Sequence, residues 1–169
     1  LAGVELVGSD MAILRDTSRR TATAIVPVEP QGLEFADPDV VDSWVAGWGQ
    51  WLAHLGYVPD LLHVTVTVFS WPLVAPPAPG LLGEILTAQQ PEMGSRTLVS
   101  VTLRNGDREP PTGQLRDAVA SLRALENCGM NVLPPLNAEE TVQWVRACYD
   151  PSVPMGGVRV EEIRFKRSL

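Results

Sequence analysis

The run Leu61 to Trp71, reading LLHVTVTVFSW, constrains the fold more than any other stretch, because β-branched residues alternate strictly along it. A period of two sends successive side chains to opposite faces of a pleated strand. His63, Thr65, Thr67 and Phe69 therefore stand opposite Leu62, Val64, Val66 and Val68. A second alternating run, Thr97 to Leu103 (TLVSVTL), reads as another strand.

Helices are expected between the strands. Asp37 followed by Pro38 is a start signal, since aspartate caps the first turn and proline suits the first helical position; Gly56 ends that helix after Leu55. Inside it Val41, Trp44, Val45, Trp48, Trp51, Leu52 and Leu55 recur at spacings that place them on one buried face. Leu115 to Cys128 reads as a second helix stopped by Gly129, and Met130 to Leu133 as a short strand. Asn137 with Glu140 three residues on forms a capping box for a helix ending at Asp150-Pro151.

The segment Val4 to Val28 reads as a hairpin turning at Asp16 to Arg19. Leu81 to Gln90 suggests a short helix before a turn at Pro91 to Gly94, and Val158 to Phe165 alternates weakly as a last strand. The order predicts an α+β fold, a two-layer α/β sandwich whose mixed sheet carries helices mainly on one face, ferredoxin-like or related.

The length of 169 residues fits a single soluble domain spanning 1–169. Hydrophobic residues at 45% and charged residues at 20% exclude a disordered chain. The net charge of −7 argues against nucleic acid or an anionic membrane surface as a partner. No apolar run is long enough to span a bilayer. The start at Leu1 and the end after Lys166 and Arg167 suggest a fragment of a longer, membrane-anchored protein, with any membrane contact made by segments outside it.

No constellation for chemistry assembles from the sequence, so no catalytic, cofactor or metal residues are assigned. Gly47 and Gly49 give only G-W-G inside a helix, which is read as close packing rather than a phosphate loop. His54, His63, Cys128 and Cys148 include no closely spaced pair that would nucleate a zinc site. The two cysteines read as small buried hydrophobes. Glu139-Glu140 and Glu161-Glu162 are adjacent pairs whose side chains diverge. Arg15, Arg19 and Arg20 read as a solvated hairpin tip. An enzyme reading requires scattered groups such as His54, Asp60 and His63 to converge in one pocket.

Trp44, Trp48 and Trp51 invite two readings. Core packing is one. The other is an aromatic docking face for a partner, since tryptophan is enriched among interface hot spots; a ligand-sensing domain would use the same face.

Several segments together resemble the soluble part of EccE-like proteins of actinobacterial type VII (ESX) secretion systems and their relatives in conjugative, type IV-like clusters. They are TATAIVPVEPQGLEF, VDSWVAGWGQWLAHLG with LLHVTVTVFSW, RTLVSVTLRN, and ALENCGMNVLPPLNAEETVQWVRACYDP followed by VRVEE. One lysine against twelve arginines is in keeping with a high-GC bacterial source. The resemblance implies a non-enzymatic subunit of a secretion or conjugation complex at the cytoplasmic face of the bacterial inner membrane, with other subunits, including the ATPase, as partners. It brings no catalytic residues. The strand and helix order is also similar to the N-terminal domain of conjugation ATPases, although no Walker motif is present. The stretch Pro72 to Gly94 departs from the pattern.

Overall fold

The computed structural model describes residues 4–8, 10–32, 36–72, 93–106 and 111–149. In chain order the elements are β1 (Val4–Val7), β2 (Ile13–Asp16), β3 (Thr21–Pro30), α1 (Pro38–Leu55), β4 (Leu61–Pro72), β5 (Met93–Arg104), α2 (Thr112–Ser121), a 3-10 helix (Leu122–Cys128), β6 (Met130–Val132) and α3 (Ala138–Tyr149). The strands form one sheet in the order β1-β2-β3-β5-β4, and β6 joins the β2 side of β3 by pairing Val28 with Val132.

From β3 to β6 this is a β-α-β-β-α-β chain with the spatial order β6-β3-β5-β4, the split β-α-β arrangement of ferredoxin-like folds. The α+β sandwich read from the sequence is therefore present. The sheet is antiparallel at every described pairing rather than mixed. The strands that α1 connects, β3 and β4, do point the same way, but β5 inserts between them and is antiparallel to both.

One face of the sheet holds the main core. Ala22, Ala24, Val26 and Val28 of β3 and Val99, Val101 and Leu103 of β5 pack there against Trp51 of α1, Leu115 and Ala118 of α2, and Leu122, Leu125 and Cys128 of the 3-10 helix. The opposite face is covered by α3 through a smaller cluster of Ile25, Leu98, Leu136 and Trp144, where Trp144 meets Phe69 edge-on at 5.2 Å. The small alanines of β3 let the helices approach the sheet closely.

The opening segment forms two hairpins rather than one. Gly8 adopts φ 97°, and a Cβ there would collide with the Met11 carbonyl, so the chain reverses between β1 and β2 at a point only glycine tolerates. The second turn falls where expected: Asp16 accepts hydrogen bonds from the backbone N–H of Ser18 and Arg19 and from the Ser18 hydroxyl. The helix expected over Leu115 to Cys128 begins three residues earlier and tightens into the 3-10 form after Ser121. Strand β5 begins at Met93, inside the expected turn at Pro91 to Gly94. The helix expected over 81–90 and the strand expected over 158–165 lie outside the described residues.

The chain beyond β6 continues along the edge of β3. Leu133 N–H donates to the Pro27 carbonyl and Leu136 N–H to the Ile25 carbonyl, and Ala12 N–H donates to the Leu136 carbonyl. Residues 133–136 thus bridge the gap between β6 and β2 before α3 starts. That start is the capping box: the Asn137 side-chain oxygen accepts from Glu140 N–H at 3.0 Å, and a Glu140 carboxylate oxygen accepts from Asn137 N–H at 2.9 Å.

Candidate functional site

The three tryptophans separate by depth. Trp51 is 4% exposed and lies in the main core, with Trp48 against it edge-on at 5.2 Å. Trp44 lies over Gly129, whose φ of 71° and missing Cβ leave room for the indole. Trp51 thus has no surface to offer a partner, while Trp44 and Trp48 are half-buried.

The helix face that the sequence presents as wholly buried is buried only in part. Trp44, Gly47, Trp51 and Leu55 face inward, with Gly47 set against the Asn127 carbonyl and the Cys128 sulfur. Val45 and Leu52, two turns apart, are 64% and 56% exposed. On the same side of the sheet as α1, Val66 and Val68 of β4 are 46% and 64% exposed. The exposed aliphatic residues thus lie on an outward stripe of α1 and on β4, an edge strand of the described sheet.

A second feature lies on the opposite face, beside α3. Strand register aligns Leu6, Leu14, Thr23, Thr102 and His63 in one row across five strands, since Leu6 pairs with Leu14, Leu14 with Thr23, and Thr102 with both Thr23 and His63. Four interstrand steps make the row about 19 Å long. Val4, Asp16 and Thr21 form the adjacent row. Together with α3 they enclose a groove of about 700 Å³.

One wall comes from α3. Val142, Val145, Arg146 and Tyr149 recur at three and four residue spacing and line the groove, on the side of the helix away from Trp144 and Ala147, which pack toward the sheet. Thr141 also lines it; its buried Oγ1 has no hydrogen-bond partner among the described residues. On the floor the Thr23 and Thr102 hydroxyls lie 2.9 Å apart and share a hydrogen bond. The Leu6-to-His63 row therefore grades from aliphatic at β1 and β2 to polar at β3, β5 and β4, with Asp16 and Thr21 beside it in the adjacent row.

Charges around the groove are largely paired. Glu5 meets Arg15 at 3.6 Å and Asp16 meets Arg19 at 3.8 Å. The Ser18 hydroxyl, followed by the backbone N–H of Arg19, holds the Asp16 carboxyl below its ordinary value. Arg146 has no acidic partner among the described residues. No register argument was open to the sequence alone, so this groove went unread there; the one local signal was the apolar spacing of Val142 and Val145.

The residues an enzyme reading would need do not converge. His63 lines the groove, Asp60 lines a separate depression with Arg20 and Arg104, and His54 occupies the last turn of α1 and lines neither. Among the described residues no three of His, Cys, Asp and Glu cluster as metal ligands. Cys128 is buried as expected, but Cys148, in the last turn of α3, is exposed.

Fold and groove define the class: a ferredoxin-like α+β domain extended by an N-terminal hairpin and roofed on its second face by α3. No family model, no curated protein and no solved structure matches the chain.

Proposed function

We propose that the chain is a protein-interaction module of a bacterial type VII (ESX) or conjugative secretion apparatus, acting by binding rather than by turnover. The observation that carries the binding half of this reading is the exposed aliphatic surface of Val45 and Leu52 on α1 and Val66 and Val68 on β4. Exposed large aliphatic side chains on an outward helix stripe and on an edge strand are the kind of surface that another protein covers. The apparatus half rests on the sequence resemblance to EccE-like proteins. No helix among the described residues is long and apolar enough to cross a membrane; in this reading membrane attachment is made by segments outside the chain. The partners are other subunits of the complex, the ATPase among them, at the cytoplasmic face of the inner membrane.

The test is affinity purification of the tagged full-length protein from gently solubilised host membranes, beside a V45D/L52D variant. Stoichiometric recovery of ATPase and channel subunits with the native protein, and their loss with the variant, supports the proposal. Recovery of the native protein without partners overturns it. A ligand-sensing domain is the second reading, favoured by the groove beside α3 rather than by the tryptophans.

A further inference from the structure

We propose that the groove beside α3 binds a single-chain amphiphile with one negative charge, of the alkyl carboxylate class. The groove lies on the face of the sheet opposite α1, so this inference stands or falls independently of the apparatus reading.

Shape comes first. A space of about 700 Å³ is within the usual range for small-molecule sites, and a floor row about 19 Å long suits an elongated ligand. Polarity then orients it. Leu6 and Leu14, like Val142 and Val145 on the α3 wall, offer nothing to a polar group, whereas Thr23, Thr102 and His63 offer hydroxyls and an imidazole at the other end of the floor row. An alkyl tail belongs over the leucines and a headgroup over the threonines.

An extended peptide fits less well. The floor is the face of a sheet, whose backbone groups are already spent on the ladder. A peptide would bring its own N–H and C=O groups over the leucines with no partner, and unpaired polar groups are costly to bury. A hydrocarbon chain carries no such groups.

Charge fixes the sign of the head. Of the lining charges, Glu5 and Asp16 are matched by arginines, which leaves the guanidinium of Arg146 as the lining cation without an acidic partner among the described residues. A guanidinium favours a carboxylate by charge-assisted hydrogen bonding and repels a cationic head.

The experiment is calorimetric titration of the full chain with dodecanoate, dodecanol and dodecyltrimethylammonium, each below its aggregation threshold. Dodecanoate is expected to bind at one site at least about tenfold more tightly than the cation, a difference of about 1.4 kcal/mol. Arg146→Gln should weaken dodecanoate by a similar factor while leaving dodecanol within about twofold. Val145→Gln, on the same side of α3, should weaken both. Thermal melts of each variant establish that it is folded. Absence of saturable binding, equal binding of anion and cation, or indifference of dodecanoate to Arg146→Gln would each overturn the proposal.

Discussion

The six-membered ring of Trp44 occupies the space that a side chain at position 129 would need: a Cβ on Gly129 would lie 2.6 Å from the indole Cδ2. Gly129 also ends the 3-10 helix in the left-handed conformation and passes its carbonyl to Gln31 N–H at 2.9 Å. One glycine therefore joins α1, the 3-10 helix and the end of β3.

Gly129→Ala is expected to destabilise the domain by about 2–4 kcal/mol, combining the left-handed backbone penalty with overpacking against the ring. Urea denaturation measures this. Adding Trp44→Ala should recover the overpacking share but not the backbone share, so the double-mutant cycle should be strongly non-additive.

Two glycines in α1 should respond with opposite signs. A Cβ at Gly47 would approach the Asn127 carbonyl to 2.9 Å and the Cys128 sulfur to 3.2 Å, whereas a Cβ at Gly49 meets nothing within 4 Å. Gly47→Ala should lose about 1–2 kcal/mol, because overpacking against backbone outweighs the gain in helix propensity. Gly49→Ala should gain close to 1 kcal/mol from propensity alone. Equal shifts in the two melting temperatures would refute the packing described for Gly47.

The turn between β2 and β3 should loosen in acid. The folded Asp16 carboxyl titrates below its ordinary value of 3.8 because its charged form accepts three hydrogen bonds. Its contribution is therefore present above that value and is lost as pH falls through the folded pKa. Amide exchange at Ser18 and Arg19, corrected for intrinsic rates, should accelerate as the carboxyl protonates, and Asp16→Asn should flatten that dependence.

The two thiols should differ in access. Desolvation by neighbouring protein atoms pushes the Cys128 thiol, and also that of the accessible Cys148, up from the ordinary value, so both react slowly near neutral pH. Cys148 is exposed and Cys128 is buried. Iodoacetamide should modify Cys148 first in the folded protein and reach Cys128 only on unfolding, as peptide mass spectrometry can resolve.

Local features were legible in the sequence and long-range ones were not. The Asn137–Glu140 box, the Asp16 turn and the stop at Gly129 each depend on a few neighbouring residues, and each stands where the sequence put it. The alternation of β4 survives as well, apart from a shift in register between Leu61 and His63. The outward stripe on α1 was misread because Val45 and Leu52 share a helical period with Trp44 and Trp51, and periodicity cannot tell which flank of an apolar face is covered. The groove depends on Leu6, Thr23, Thr102 and His63 coming into one row, and no local pattern encodes that pairing.

Strand β3 lies at the centre of the sheet, yet its partners come late in the chain. Val26 pairs with Val99 and Val28 with Val132, while β2 occupies only the Thr21–Thr23 end. A ribosome adding about 5–20 residues per second leaves β3 waiting roughly 4–15 seconds for β5 to be synthesised, and longer for β6. During that interval the strand that organises the finished domain is a nascent apolar segment with one edge open along its length and the other paired only at Thr21–Thr23, a natural target for holdase chaperones during translation.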